Sequence, residues 1–149
     1  MDDIALLFEN NVLGAALLAW LVAQVLKAAI TSVENGRLVL SRLTGSGGMP
    51  SSHSAFVVSL AFGVGFRVGF DSAVFALAAV FALVVMYDAA GVRRETGIQA
   101  KLLNQIVTDL IGQGTLPQQG QIKELLGHTP VEVLAGAIIG AFVAAVRVP

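Results

Sequence analysis

Apolar residues dominate four stretches of the chain, 12–33, 54–68, 72–90 and 131–147, and polar residues gather between them. The runs lack period-two alternation and are rich in Ala, Leu and Gly, which argues for helices over strands. A helix crossing the hydrocarbon core needs about 20 residues, with a range of about 17–25. The first stretch meets that length. The others are short, and long basic side chains such as Arg67 and Arg147 extend their ends, because their stems stay in the apolar zone. Between the second and third stretches, Gly69 permits a tight turn and Asp71 or Ser72 is placed to cap the next helix, so 54–90 reads as a helical hairpin.

Residues 91–130 are the most polar region. Within them Ile98, Leu102, Ile106 and Leu110 recur at i+4, with Leu103 and Val107 beside them and Lys101, Asn104, Gln105, Thr108 and Asp109 opposite. That pattern predicts an amphipathic helix, lying either at the membrane surface or on the protein's own core. Gly112, Gly114, Pro117 and Gly120 end it in a loop, and a short helix is expected over 122–126. The sum is an all-α chain: one membrane-embedded domain over 1–149, built as a bundle of about four transmembrane helices plus an amphipathic interfacial helix.

Composition supports this reading. Hydrophobic residues make up 56% and charged residues 13%, against about 45–50% and about 25% in soluble domains. Mean hydropathy is +0.80. An integral protein of the inner or plasma membrane is expected. The start, MDDIALLFEN, carries Asp2, Asp3 and Glu9 where a signal peptide carries basic residues, so the first apolar run is expected to stay as a span. A net charge of -1 offers no basic surface to nucleic acid, and the absence of cysteine excludes a disulfide framework and a thiolate zinc site.

Threading four spans puts loop 34–53 and segment 91–130 on one side and both termini on the other. Seven of the nine Lys and Arg residues (Lys27, Arg37, Arg42, Arg93, Arg94, Lys101 and Lys123) lie on or near the first side. The positive-inside bias predicts that this side is cytoplasmic.

The reactive residues gather there too. GGMPSSHSA, 47–55, opens the second span with Ser51, Ser52 and His53, and the other histidine, His128, stands just ahead of the fourth. Lys27 lies near the end of the first span, and Arg93 and Arg94 follow the third. A glycine-led helix N-terminus with serine hydroxyls suits a phosphate, although Ser51 or Ser52 could serve only as a cap and His53 face water. Glu132 lies four residues after His128, which on a helix puts its carboxylate on the imidazole's face. That bond would fix the tautomer and leave the other ring nitrogen as nucleophile or base; a simple polar pair at the interface is the plainer alternative. Asp88, near the end of the third span, is read as structural or arginine-orienting, with Arg93 or Lys27 as its partner. Gly136-x-x-x-Gly140 reads as close helix packing, within or between chains.

With these residues in place the chain resembles the divergent membrane branch of the type 2 phosphatidic acid phosphatase family, whose superfamily takes in bacterial acid phosphatases and vanadium-dependent haloperoxidases. The resemblance spans nearly the whole chain and is sharpest in GGMPSSHSA, in YDAAGVRRETGIQAKLLNQ at 87–105 and in KELLGHTPVEVLAG at 123–136. The family uses a Lys followed by Arg-Pro, a Pro-Ser-Gly-His, and an Arg upstream of a His with an Asp four residues later. Here Pro50-Ser51-Ser52-His53 matches the second motif with serine for glycine, and His128 with Glu132 matches the end of the third with Glu for Asp. Lys27 stands for the first lysine without an Arg-Pro after it. No Ser-Arg precedes His128 at the family spacing, and Lys123 stands near there.

The resemblance implies a metal-independent phosphatase without a cofactor, acting on a lipid or prenyl phosphate at the membrane surface. It makes His128 the nucleophile that forms a phosphohistidine, Glu132 the holder of its ring and His53 the acid for the leaving alcohol. Lys27, Ser51, Ser52, Arg93 and Arg94 would bind the phosphoryl oxygens, with Asp88 in support. A non-catalytic protein that binds or carries phosphorylated lipid is the alternative. Membrane lipids are the expected surroundings, and because four spans are few to enclose a site, a homodimer is a candidate assembly.

Overall fold

The computed structural model describes Leu6 and residues 9–39, 48–112 and 127–148, the side chains at 93, 94, 111 and 112 excepted. Among the described residues five helices of eight residues or more follow one another: α1 (Asn11–Glu34), α2 (Ser52–Val68), α3 (Ala73–Ala90), α4 (Val92–Gly112) and α5 (Pro130–Arg147). Among the described residues there is no strand. The loop expected after Gly112 and the short helix expected over 122–126 lie outside the described residues, as do Arg42 and Lys123.

The helices begin where capping chemistry allows. Asn10 accepts from the Val12 and Leu13 amides at 3.1 and 3.0 Å, opening α1. Of the two caps expected for α3, Ser72 serves: its Oγ accepts from the Phe75 amide at 3.1 Å and donates to the Gly69 carbonyl at 2.7 Å. Gly69 turns the hairpin at φ 97, a left-handed backbone open to glycine.

α2 is the central helix, packed against α1, α3 and α5, while α1 also meets α5. The two buried clusters are Ala19, Ala23, Ala55 and Val143, then Val57, Val58, Ala61 and Ala82. No large side chain belongs to either. A few large ones, Ile139, Phe56 and Met86, pack against them partly buried, while many point outward: Leu77 is 71% exposed and Phe142 68%. Inside a bilayer, lipid tails are as apolar as leucine, so helices associate through small residues that let backbones approach. A small-residue interior under a large apolar exterior is the packing of an integral membrane protein.

Among the described residues three helices are long and apolar enough to cross a membrane: Asn11–Glu34, Pro130–Arg147 and the long run Ala73–Leu110. α2, with 17 residues, falls just short of that length; it rises roughly 26 Å, against a core of about 30 Å. α3 and α4 are closer to continuous than the polar pattern suggests. The Gly91 amide bonds to the Tyr87 carbonyl at 2.8 Å and the Glu95 amide to the Gly91 carbonyl at 3.0 Å, so helical bonding carries through the junction. α4 therefore starts at Val92, ahead of its apolar stripe. Of the described helices only α3 touches it. Its Leu102, Leu103 and Ile106 are exposed, and Gly97, Ala100 and Asn104 are buried.

Candidate functional site

The site forms where α5 presses on the start of α2. A Cβ on Gly136 would collide with the Ser51 carbonyl and lie 3.0 Å from the Ser54 Cβ. One on Gly140 would collide with the Ala55 carbonyl and lie 2.9 Å from the Ser59 nitrogen. The Gly136-x-x-x-Gly140 stripe is therefore filled within the chain. Its closeness lets the Ser51 amide donate to the Glu132 carbonyl at 2.9 Å, joining the serine loop to the first turn of α5.

His128 is fixed from two sides. Its backbone N–H donates to the Ala89 carbonyl at the end of α3, 3.0 Å away. Its Nδ1 lies 3.2 Å from Glu132 Oε2. That same oxygen accepts from the Thr129 amide at 2.9 Å, while Thr129 Oγ1 accepts from the Glu132 amide at 3.3 Å. The reciprocal pair is a capping box, with Pro130 supplying the first helical residue and no surplus N–H. Glu132 thus opens α5 and grips the imidazole with one oxygen. When Nδ1 carries the proton it donates to the carboxylate, and Nε2 keeps a lone pair. Nε2 is buried and makes no hydrogen bond of good geometry among the described residues, although the Gly48 backbone lies near enough to the ring to act on it.

The His53 ring stands edge-on to the His128 ring, centroids 5.9 Å apart at 64°. Ser51 is fully buried and caps α2: its Oγ accepts from the Ser54 amide at 3.3 Å and from the Ser54 hydroxyl at 3.0 Å. Of the two roles open to Ser51 from sequence, the cap is the one seen in the geometry. Ser52 is buried in the first turn, and His53 is partly buried. Ahead of them Gly48 holds φ 85, and a Cβ there would sit 3.6 Å from Lys27 Cγ, so the loop lies along the lysine stem.

Lys27 is 1% exposed and donates from Nζ to Gln24 Oε1 at 3.0 Å. Burial holds the His128 pKa below its usual 6.5, and the Lys27 charge pushes the same way; Glu132 and the Gly48 backbone oppose both. The neutral ring, which is the nucleophilic form, is thereby favoured.

Lys27, Ser51, Ser52, His53, His128 and Glu132 are thus brought to one end of the bundle. Asp88 is partly buried on α3, directly before the Ala89 that receives the His128 N–H. Arg93 and Arg94 occupy the first turn of α4, and their side chains lie outside the described residues. Sequence reasoning missed Gln24. The signal was present: an amide inside an apolar span, three residues before a lysine and so on its face.

Comparisons with known proteins place the chain in a family. A family model described as "Divergent PAP2 family" matches residues 8–143. A relative from Bacillus subtilis (strain 168), "Uncharacterized membrane protein YuiD", is 41% identical over 144 residues, covering 90% of this chain and 91% of that protein. No solved structure matches. Matched by the family model over residues 8–143, the chain belongs to the divergent PAP2 family, in which a relative is a membrane protein.

Proposed function

We propose that the protein is a metal-independent phosphatase acting on a lipid or prenyl phosphate monoester. His128 Nε2 attacks phosphorus and forms a P–N bond while the P–O bond to the alcohol breaks. His53 gives its proton to the departing oxygen. Water then attacks the phosphohistidine, His53 takes the water's proton, and the P–N bond breaks to release phosphate and restore His128. Glu132 holds the ring and stabilises the charge that His128 gains. The Lys27 ammonium and the backbone N–H groups at the start of α2 face charge on the phosphoryl oxygens, the term expected to dominate phosphoryl transfer. Arg93 and Arg94 are proposed to add guanidinium contacts, and Asp88 to orient them. Gln24 positions Lys27.

One observation carries this reading: a buried Nε2, without a hydrogen bond of good geometry among the described residues, on an imidazole whose other nitrogen is gripped by a carboxylate, beside a second histidine. A site at the end of a lipid-facing bundle favours a substrate with its tail in the bilayer and its phosphate at the surface. The positive-inside bias supports placing that surface in the cytoplasm. A second reading, binding of a phosphorylated lipid without hydrolysis, is favoured by the lack of an Arg-Pro after Lys27.

The test is phosphate release by detergent-purified protein from a panel of lipid and prenyl phosphates in EDTA. Release that is lost in His53→Ala and in His128→Ala is expected. Binding without release by folded wild type would select the second reading.

A further inference from the structure

A groove of about 630 Å³ opens at the other end of the bundle, among the start of α1, the end of α2 and the start of α3. Its walls include Leu13, Leu60, Val64 and Val74, and Glu9 and Arg67 stand at its edge. Along α2 it lies roughly 22 Å from the histidines, taking Ser52 to Arg67 at about 1.5 Å per residue. We infer that this groove is a phospholipid site in the opposite leaflet, and that it takes a headgroup carrying both a phosphate and an ammonium.

The charges choose the headgroup. Arg67 and Glu9 line one groove, both are exposed, and among the described residues neither forms an ion pair. An arginine in the last turn of a membrane helix stands at headgroup level, where its guanidinium meets phosphate with two parallel N–H donors. A carboxylate in the same groove opposes a headgroup of purely negative charge. A phosphoethanolamine headgroup satisfies both, with its phosphate on Arg67 and its ammonium on Glu9. The volume lies within the about 300–1,000 Å³ typical of small-molecule sites. The apolar wall sets the orientation: Val64 and Leu60 continue from Arg67 along α2 toward the bilayer centre, offering an acyl chain a path beside Leu13. Because the site uses no residue of the histidine end, the inference stands apart from the proposed chemistry.

Native mass spectrometry of the full chain tests it, with phosphatidylethanolamine and phosphatidylglycerol, both phosphodiesters that the histidine site would not hydrolyse, supplied in detergent. Wild type should retain phosphatidylethanolamine about two- to five-fold over phosphatidylglycerol, the scale of one exposed charge contact. Glu9→Gln should erase that preference while phosphatidylglycerol is still retained. Arg67→Ala should lower retention of both lipids. Equal retention of the lipids by wild type would overturn the inference, as would a preference that survives both groove variants. A dimer that dissociates in Arg67→Ala with lipid retention unchanged would make a second copy the occupant, and would overturn it too.

Discussion

Replacing Gly136 by alanine drives a methyl group into the Ser51 carbonyl, with the Ser51 carbonyl carbon and Ser54 Cβ each 3.0 Å from it. Alanine gains about 1 kcal/mol over glycine inside a helix. Overpacking costs roughly 1–3 kcal/mol, and the upper end applies where the obstacle is backbone and cannot rotate aside. The net is a destabilisation of about 2 kcal/mol, or about 4–8 °C in Tm for a chain of this size. Gly14→Ala is the internal control, because a Cβ there meets nothing within 4 Å and should stabilise the same bundle. Thermal unfolding of both variants in one detergent, followed through the single tryptophan, Trp20, gives the comparison. The same shift spreads the Ser51–Glu132 link, so phosphate release should fall further than the loss of folded protein explains. If Gly136→Ala proves as stable as Gly14→Ala, α5 does not touch the start of α2 as described, and the site built on that contact is wrong.

Other outcomes follow from the same geometry. Lys27→Met removes a charge that depresses the His128 pKa, so the acid limb of phosphate release should move to higher pH as kcat falls; an unmoved limb would put Lys27 away from the ring. Because the fold favours neutral His128, its contribution to stability is fully present above pH 6.5 and is lost as pH falls toward the depressed folded value. Chemical unfolding across that window should show the slope in wild type and a weaker one in His128→Asn. Gln24→Leu removes an acceptor of the Lys27 ammonium, a bond on the scale of about 1.5–3 kcal/mol, and should slow release roughly tenfold or more while shifting the pH profile. Thr129→Ala breaks the capping box and should cost about 1 kcal/mol, read as a lower melting temperature.

Much of this was legible before any coordinates, because apolar run length and cap residues are local signals. The i,i+4 spacing of His128 and Glu132 gave their contact, and Ser72 and Gly69 gave the hairpin turn. What stayed hidden depends on how helices meet. Nothing in the order of residues says whether Gly136 and Gly140 face the same chain or another; the Ser51 and Ala55 carbonyls beneath them answer that. Sequence offers Ser51 both as cap and as phosphate ligand; its Oγ accepts from Ser54, which is the capping half and leaves its own O–H to donate. The near-continuity of α3 and α4 was masked by the polarity change after Asp88, since polarity reports surroundings and not backbone bonding. The part of Gln24 depends on the bond to Lys27 Nζ, which spacing along one helix permits and only the side-chain geometry shows.

The central claim, attack by His128 on phosphorus, is tested most directly by trapping the phosphoenzyme. Purified protein is mixed with a prenyl or lipid phosphate, quenched in alkali and digested, and the peptide carrying His128 is read by mass spectrometry. The account predicts phosphate on that histidine, stable in base and lost in acid, and absent from His128→Ala. Turnover of substrate with no adduct at His128, or with the adduct on His53, would contradict it.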